Sequence, residues 1–231
     1  MNYKYQKGEV IYQNKLSSVE DVKGFKMEGD GIISFPMERM RMESTRSIED
    51  GQKANIVYWV PEDFPDNISI EWDFYPIREP GLCIVFFSAK GKNGKDLFDE
   101  SLNPRTGEYN LYFGGDINTY HLSYFRRRYE EERSFHTCNL RKSFGGYMVA
   151  QGADPIPSIM DIKAPYHIEL VKYRNKITFY INDLCVLDWT DDNETYGEVL
   201  GEGKIGFRQM APLIAEYANL KISKILGVIE D

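Results

Sequence analysis

From Ile68 to Ile225 nearly every apolar run is short, alternates with polar residues, and stops at a turn residue. ISIEWDF (68–74), LCIVFFSA (82–89), YHIELVKY (166–173), KITFYIND (176–183), GKIGFRQM (203–210) and AEYANLKISKI (215–225) are the clearest. A period of two sends alternate side chains to opposite faces of a strand, and a chain built this way must bury its sheets against each other. Sixteen Tyr and 13 Phe among 231 residues suit pleated surfaces. Helical periodicity is nearly absent, with SSVEDVKGF (17–25) read as one short helix. The expected fold is all-β, a two-sheet antiparallel jelly-roll sandwich of roughly 12 to 14 strands. No linker or repeat divides the chain, so one domain over residues 1–231 is expected, long enough to bury a sizeable core.

Local punctuation adds detail. GIISF (31–35) and RMRMES (39–44) read as a strand pair closed around Pro36, and Asn182-Asp183 as the tight turn of a hairpin. Residues 90–117 form the longest irregular segment, and long loops in such folds often carry function.

Charge narrows the partners. A net charge of −8 argues against nucleic acid and anionic membranes, which need a basic footprint. No apolar run approaches the length of a membrane span. MNYKYQKGEVIYQN lacks the apolar core of a secretory signal. Cys83, Cys138 and Cys185 are odd in number and far apart, each in a strand-like run. They read as core thiols in a reducing cytoplasm. A homo-oligomer is neither required nor excluded.

Against this acidic background, residues 116–142 (DINTYHLSYFRRRYEEERSFHTCNLRK) carry six basic and four acidic side chains, two of the three histidines, and five Tyr or Phe. Its charge is +2, leaving −10 on the rest. Guanidinium forks pair with carboxylates and aromatic faces stack on sugar C–H faces, so an anionic, ring-shaped ligand is expected.

The closing meander resembles the last strands of the concanavalin A-like lectin and glucanase superfamily. At GDINTYHLSYFRRRYEEERSFHTCNLRKS the resemblance tightens to the YesU family of bacterial proteins. EPGLCIVFF (79–87), KDLFDESL (95–102), GADPIPS (152–158), TYGEVL (195–200) and GKIGFRQMAP (203–212) extend it over essentially the whole chain. The resemblance implies a concanavalin A-like sandwich and a place in bacterial use of rhamnogalacturonan and related pectic glycans. It implies no catalytic set, so the site must come from the residues.

On strand 134–141, Cys138 and Leu140 alternate with Thr137, Asn139 and Arg141, which would share the ligand face. On 119–127, His121, Ser123 and Arg127 share a face with Phe125, opposite Tyr120, Leu122, Tyr124 and Arg126. The His121 face is the better ligand side, because Leu122 and Tyr124 make better core; Tyr124 at a concave edge stays open. Such a set suits β-elimination from a uronate, with Arg127, Asn139 and Arg141 neutralising the carboxylate, His121 as base and Tyr124 as acid. Arg126, Arg133, His136, Trp189, Arg208 and Gln209 are candidate ligand contacts. The bland alternative pairs the arginines with Glu130, Glu131 and Glu132.

Other chemistries fit less well. Glu71-Trp72-Asp73 begins like the glucanase E-x-D strand, but the next acid is Glu79, out of register. Asp188, Asp191, Asp192, Asn193 and Glu194 match no EF-hand spacing, and the histidines no zinc spacing. No phosphate-binding glycine motif is present, so no metal or cofactor is expected. The reading is a cytoplasmic protein acting on acidic plant cell-wall oligosaccharides, foremost as a lyase. The alternatives are a non-catalytic carbohydrate-binding protein and a glycoside hydrolase.

Overall fold

A computed structural model describes residues 4–229, and within them the alternating runs become fifteen strands. These are β1 (Lys4–Asn14), β2 (Lys26–Glu28), β3 (Gly31–Ser34), β4 (Met40–Ser44), β5 (Ile56–Trp59), β6 (Ile68–Arg78), β7 (Leu82–Gly91) and β8 (Ile117–Tyr124). They continue as β9 (Thr137–Ser143), β10 (Tyr147–Ala153), β11 (Tyr166–Tyr173), β12 (Lys176–Ile181), β13 (Leu184–Thr190), β14 (Lys204–Met210) and β15 (Ile214–Ile229). Two single-turn α-helices, α1 (Asn110–Phe113) and α2 (Glu130–Ser134), and three short 3-10 helices interrupt them. None is long and apolar enough to cross a membrane.

Every pairing is antiparallel. One sheet runs β13-β12-β11-β6-β15-β4-β3, with β1 also on β15; the other runs β10-β9-β8-β7-β14-β5-β2. Their inner faces share one core, in which Trp72 packs against Phe207 and Tyr124, and Phe74 against Tyr217. β3 pairs with β4 as the Pro36 turn predicts. Asn182 and Asp183 both take positive φ (48° and 64°), the conformation a two-residue hairpin needs.

One local expectation is corrected. Residues 17–25 form turns rather than a helix. The Asp21 carboxylate accepts from Ser17 N and Oγ (2.8 and 2.7 Å), and Asn14 binds the Asp21 carbonyl, so local side-chain bonds replace helical ones. The charged run between β8 and β9 folds as α2, closed by Glu132, which accepts from Arg128 N and Tyr129 N.

The seven-stranded sheet also buries its outer face. Trp59, Leu82, Ile84 and Phe86 form a second apolar cluster, roofed by Leu97 and Tyr112 from the 92–116 loop. Glu28 fastens that roof: its carboxylate accepts from Trp59 Nε1 (2.9 Å), Tyr112 Oη (2.8 Å) and Arg105 Nη2 (2.7 Å). Gly107, at φ +89°, presses so closely on the Asn55 carbonyl that a Cβ would collide with it. The longest irregular segment is thereby held in one place.

Candidate functional site

Alternation along β8 turns Tyr120, Leu122 and Tyr124 into the core, and His121 and Ser123 outward. β9 does the same, with Cys138 and Leu140 inside and Asn139 and Arg141 outside. Beside them, β14 contributes Arg208. Beyond the edge of the roof Ser123, Asn139, Arg141 and Arg208 line a cleft of about 190 Å³. The 92–116 loop adds Tyr109, and the segment around α2 adds Arg126, Tyr129 and Glu132.

Three guanidiniums meet there in different states. Arg126 is ion-paired with Glu132 (2.7 Å) and reaches Thr137 Oγ1 (2.9 Å). Arg141 donates to the Gly146 carbonyl (2.7 Å) and has no carboxylate partner among the described residues. Arg208 is only 1% exposed, yet it too meets no carboxylate. Its Nη2 donates to the Gly107 carbonyl (3.2 Å) and Gln52 Oε1 (3.3 Å), its Nε has no partner among the described residues, and its Cζ lies 5.1 Å from the Tyr109 ring centre. Burial brings the Arg208 pKa down to about 10, with Tyr112 and Tyr109 opposing, so it stays cationic at neutral pH. Asn139 sits 3.0 Å from Arg126 Nη1.

Behind the cleft the Tyr109 hydroxyl lies 2.8 Å from His121 Nε2. His121 is buried, its ring against Phe86, and its Nδ1 has no partner. Burial, and then the positive charges of Arg141 and Arg208, depress its pKa to about 3, so the imidazole is neutral. Burial raises Tyr109, while the three surrounding arginines pull it back.

The remaining predicted residues lie elsewhere. Tyr124 is wholly buried between the sheets, packed on Trp72 and Phe74, and cannot meet a ligand. Gln209 follows Arg208 on one strand and so points inward, donating to the Met42 carbonyl (2.8 Å) and accepting from Tyr217. Arg127 leaves the β8 alternation because Phe125 takes a left-handed φ of 45° and turns into the core. Its guanidinium is buried against Asp154 (3.0 Å), with His136 Nδ1 3.4 Å away. His136 itself is exposed, and Arg133 donates to the carbonyls of Arg127 and Arg128. Trp189, on the other sheet, packs edge-on against Tyr120. Sequence reasoning put Ser123 on the ligand-side face, where it lines the cleft, but missed Tyr109, Gln52, Tyr129 and Glu132. The length of the 90–117 loop was the one available signal for Tyr109.

Glu71 and Asp73 lie on the outer face of the eight-stranded sheet, away from the cleft. Glu71 is tied to Lys7 and Lys221 (3.0 Å each) and Asp73 to His167 (3.2 Å). Asp191 is buried, accepting from Tyr120 Oη (2.6 Å) and Lys142 Nζ (2.7 Å). Among the described residues no group of three or more His, Cys, Asp or Glu is placed to hold a metal.

Comparison with known proteins agrees with this architecture. Residues 9–222 match the family model described as a domain of unknown function, DUF1961. The uncharacterized protein YesU of Bacillus subtilis (strain 168) is 51% identical over 218 residues, covering 94% of this chain and 97% of that protein. A crystal structure of a Bacillus subtilis protein of unknown function with a galectin-like fold superposes with a TM-score of 0.92 at 50% identity, covering 96% and 99% of the two chains. More distant folds include the Bacillus subtilis carbohydrate-binding module CBM66 (TM-score 0.54, 14% identity, 87% and 96% covered). Bacillus licheniformis β-glucanase is another (TM-score 0.56, 10% identity, 95% and 100% covered). The fold is therefore the two-sheet jelly-roll sandwich that the alternating runs predict, and the chain belongs to the DUF1961 family, together with YesU.

Proposed function

We propose that the cleft binds a carboxylate-bearing sugar unit of an acidic oligosaccharide of the rhamnogalacturonan type, and that the protein is a glycan-processing lyase. The observation that carries the reading is Arg208, a cation 1% exposed with no carboxylate partner among the described residues. A buried charge left unpaired is costly, and an anionic ligand would supply the missing partner. Arg141 stands ready to share it. The volume is below that of sites for drug-sized molecules, in keeping with one sugar ring, and Tyr109 and Tyr129 offer aromatic faces. That carbohydrate-binding proteins and a glucanase share the fold supports a saccharide over other anions. Free thiols at Cys83, Cys138 and Cys185 favour a reducing, cytoplasmic setting.

Lyase chemistry is favoured by the Tyr109–His121 contact. Tyr109 takes the proton α to the bound carboxylate as its own proton passes to His121 Nε2. The β C–O bond breaks and a C=C bond forms. Tyr109 returns a proton to the departing oxygen and is refilled from His121. The ligand's carboxylate offsets the arginine charges, the lesser of the two causes that depress His121, and so raises its proton affinity when substrate is present while burial still opposes the charge. Hydrolysis is less well supported, since Glu132 is the one carboxylate lining the cleft among the described residues, and it is paired with Arg126. Incubation with saturated rhamnogalacturonan oligosaccharides tests the reading. A lyase yields the ultraviolet absorbance of a conjugated unsaturated uronate with no gain of water by mass. Gain of water would replace it with a hydrolase, and binding without turnover with a carbohydrate-binding protein.

A further inference from the structure

Two residues beyond Arg141, on the same side of β9, Ser143 lines a second groove of about 400 Å³. Its chemistry differs from that of the arginine cleft. Ser88, Asn118 and Ser143 all line it, and none of their side chains makes a hydrogen bond among the described residues; the Ser143 hydroxyl is buried and unpartnered. Its cations are already neutralised: Lys90 pairs with Asp63 (2.7 Å) and Glu202 (3.3 Å), and Lys142 with Asp191 (2.7 Å). Glu198 and Glu202 at its wall would repel a carboxylate. Tyr196, which also lines it, is 36% exposed, with its ring 4.9 Å from that of Tyr147, itself 48% exposed.

Unused hydroxyl and amide groups beside an exposed aromatic pair recognise a neutral, hydroxyl-rich ring. We infer that this groove is a second subsite for a neutral sugar unit, so that the ligand is an oligosaccharide joining a carboxylated unit to neutral ones. The assignment of the acidic unit rests on the reading of the arginine cleft; that of the neutral unit rests on this groove alone. At the rise of a β-strand the two positions on β9 are about 7 Å apart, within reach of one short chain.

Calorimetric titration with galacturonate, with rhamnose-containing neutral oligosaccharide, and with a tetrasaccharide alternating galacturonate and rhamnose separates the two. The tetrasaccharide is expected to bind at least about fivefold more tightly than galacturonate, as one stacked ring allows. Tyr196→Ala and Asn118→Ala should each reduce that gain while leaving galacturonate affinity unchanged. Equal affinity for the two ligands in the unmodified protein, or an equal loss for both in Tyr196→Ala, overturns the second subsite. If galacturonate fails to bind but the neutral oligosaccharide binds and Tyr196→Ala abolishes it, the arginine reading falls and this one stands.

Discussion

The Tyr109 hydroxyl and His121 Nε2 are 2.8 Å apart, one carried by the 92–116 loop and the other by β8. Glu28 makes the pairing possible by pinning the loop through Arg105 and Tyr112. Removing the hydroxyl with Tyr109→Phe keeps the ring under Arg208 and deletes the proton route. Elimination should fall by at least about a hundredfold, as for loss of a general acid–base group, with saccharide affinity nearly unchanged. Turnover comparable to that of the unmodified protein would exclude Tyr109 from the proposed chemistry.

His121 should remain neutral well into the acid range, because burial and two arginines hold its pKa near 3 against an ordinary 6.5. Its unfolded form binds a proton between those values and its folded form does not. Its contribution to stability is therefore present above 6.5 and is lost as pH falls toward 3. Imidazole NMR shifts check this directly: His121 should show no titration at pH 5, where the neutral form still dominates. Half-protonation at that pH would contradict the buried, cationic surroundings.

Arg127 and Asp154 form a buried pair at 3.0 Å that ties the end of β8 to the segment after β10. Arg127→Met strands the Asp154 carboxylate and should lower unfolding free energy by about 3 kcal/mol in urea denaturation. The folded fraction should still bind ligand, because Arg127 lies outside the cleft. Loss of affinity with unchanged stability would return Arg127 to the binding set.

On the opposite sheet, burial alone would raise Glu71, but contacts from His167, Lys7 and Lys221 outweigh it and hold the carboxyl at about 2. That stability is present above 4.5 and is lost as pH falls toward 2. His167 is raised by Glu71, with burial opposing and Asp73 adding, so its contribution is full below 6.5 and fades as pH climbs through the raised value. Glu71→Gln should flatten the dependence of unfolding free energy on pH between 4.5 and 2. An unchanged acid slope would remove Glu71 from the account.

What the sequence revealed follows from range. A period of two is a local property, so alternation placed Leu122, Leu140, Asn139 and Arg141 on the sides where the structure has them. Its failures are equally physical. One left-handed residue, Phe125, ended the alternation and sent Arg127 to Asp154, a partner 27 residues later. Arg208 and Gln209 are both candidate ligand contacts in the sequence, but successive residues of a strand face opposite ways, and only Arg208 lines the cleft. Tyr109 and Gln52 reach the cleft from irregular segments whose course is set by distant contacts such as Glu28 with Arg105, and no local pattern encodes those.

On the proposed reading, Arg208 and Arg141 await a carboxylate. Titration of galacturonate against galactose, its neutral counterpart, measures this with least ambiguity, in the unmodified protein and in Arg141→Ala. Galacturonate should bind at least about tenfold more tightly than galactose, and Arg141→Ala should cost it about tenfold or more, as expected for a hydrogen bond to a charged group. Equal affinity for the two sugars, with Arg141→Ala indifferent, would contradict the account.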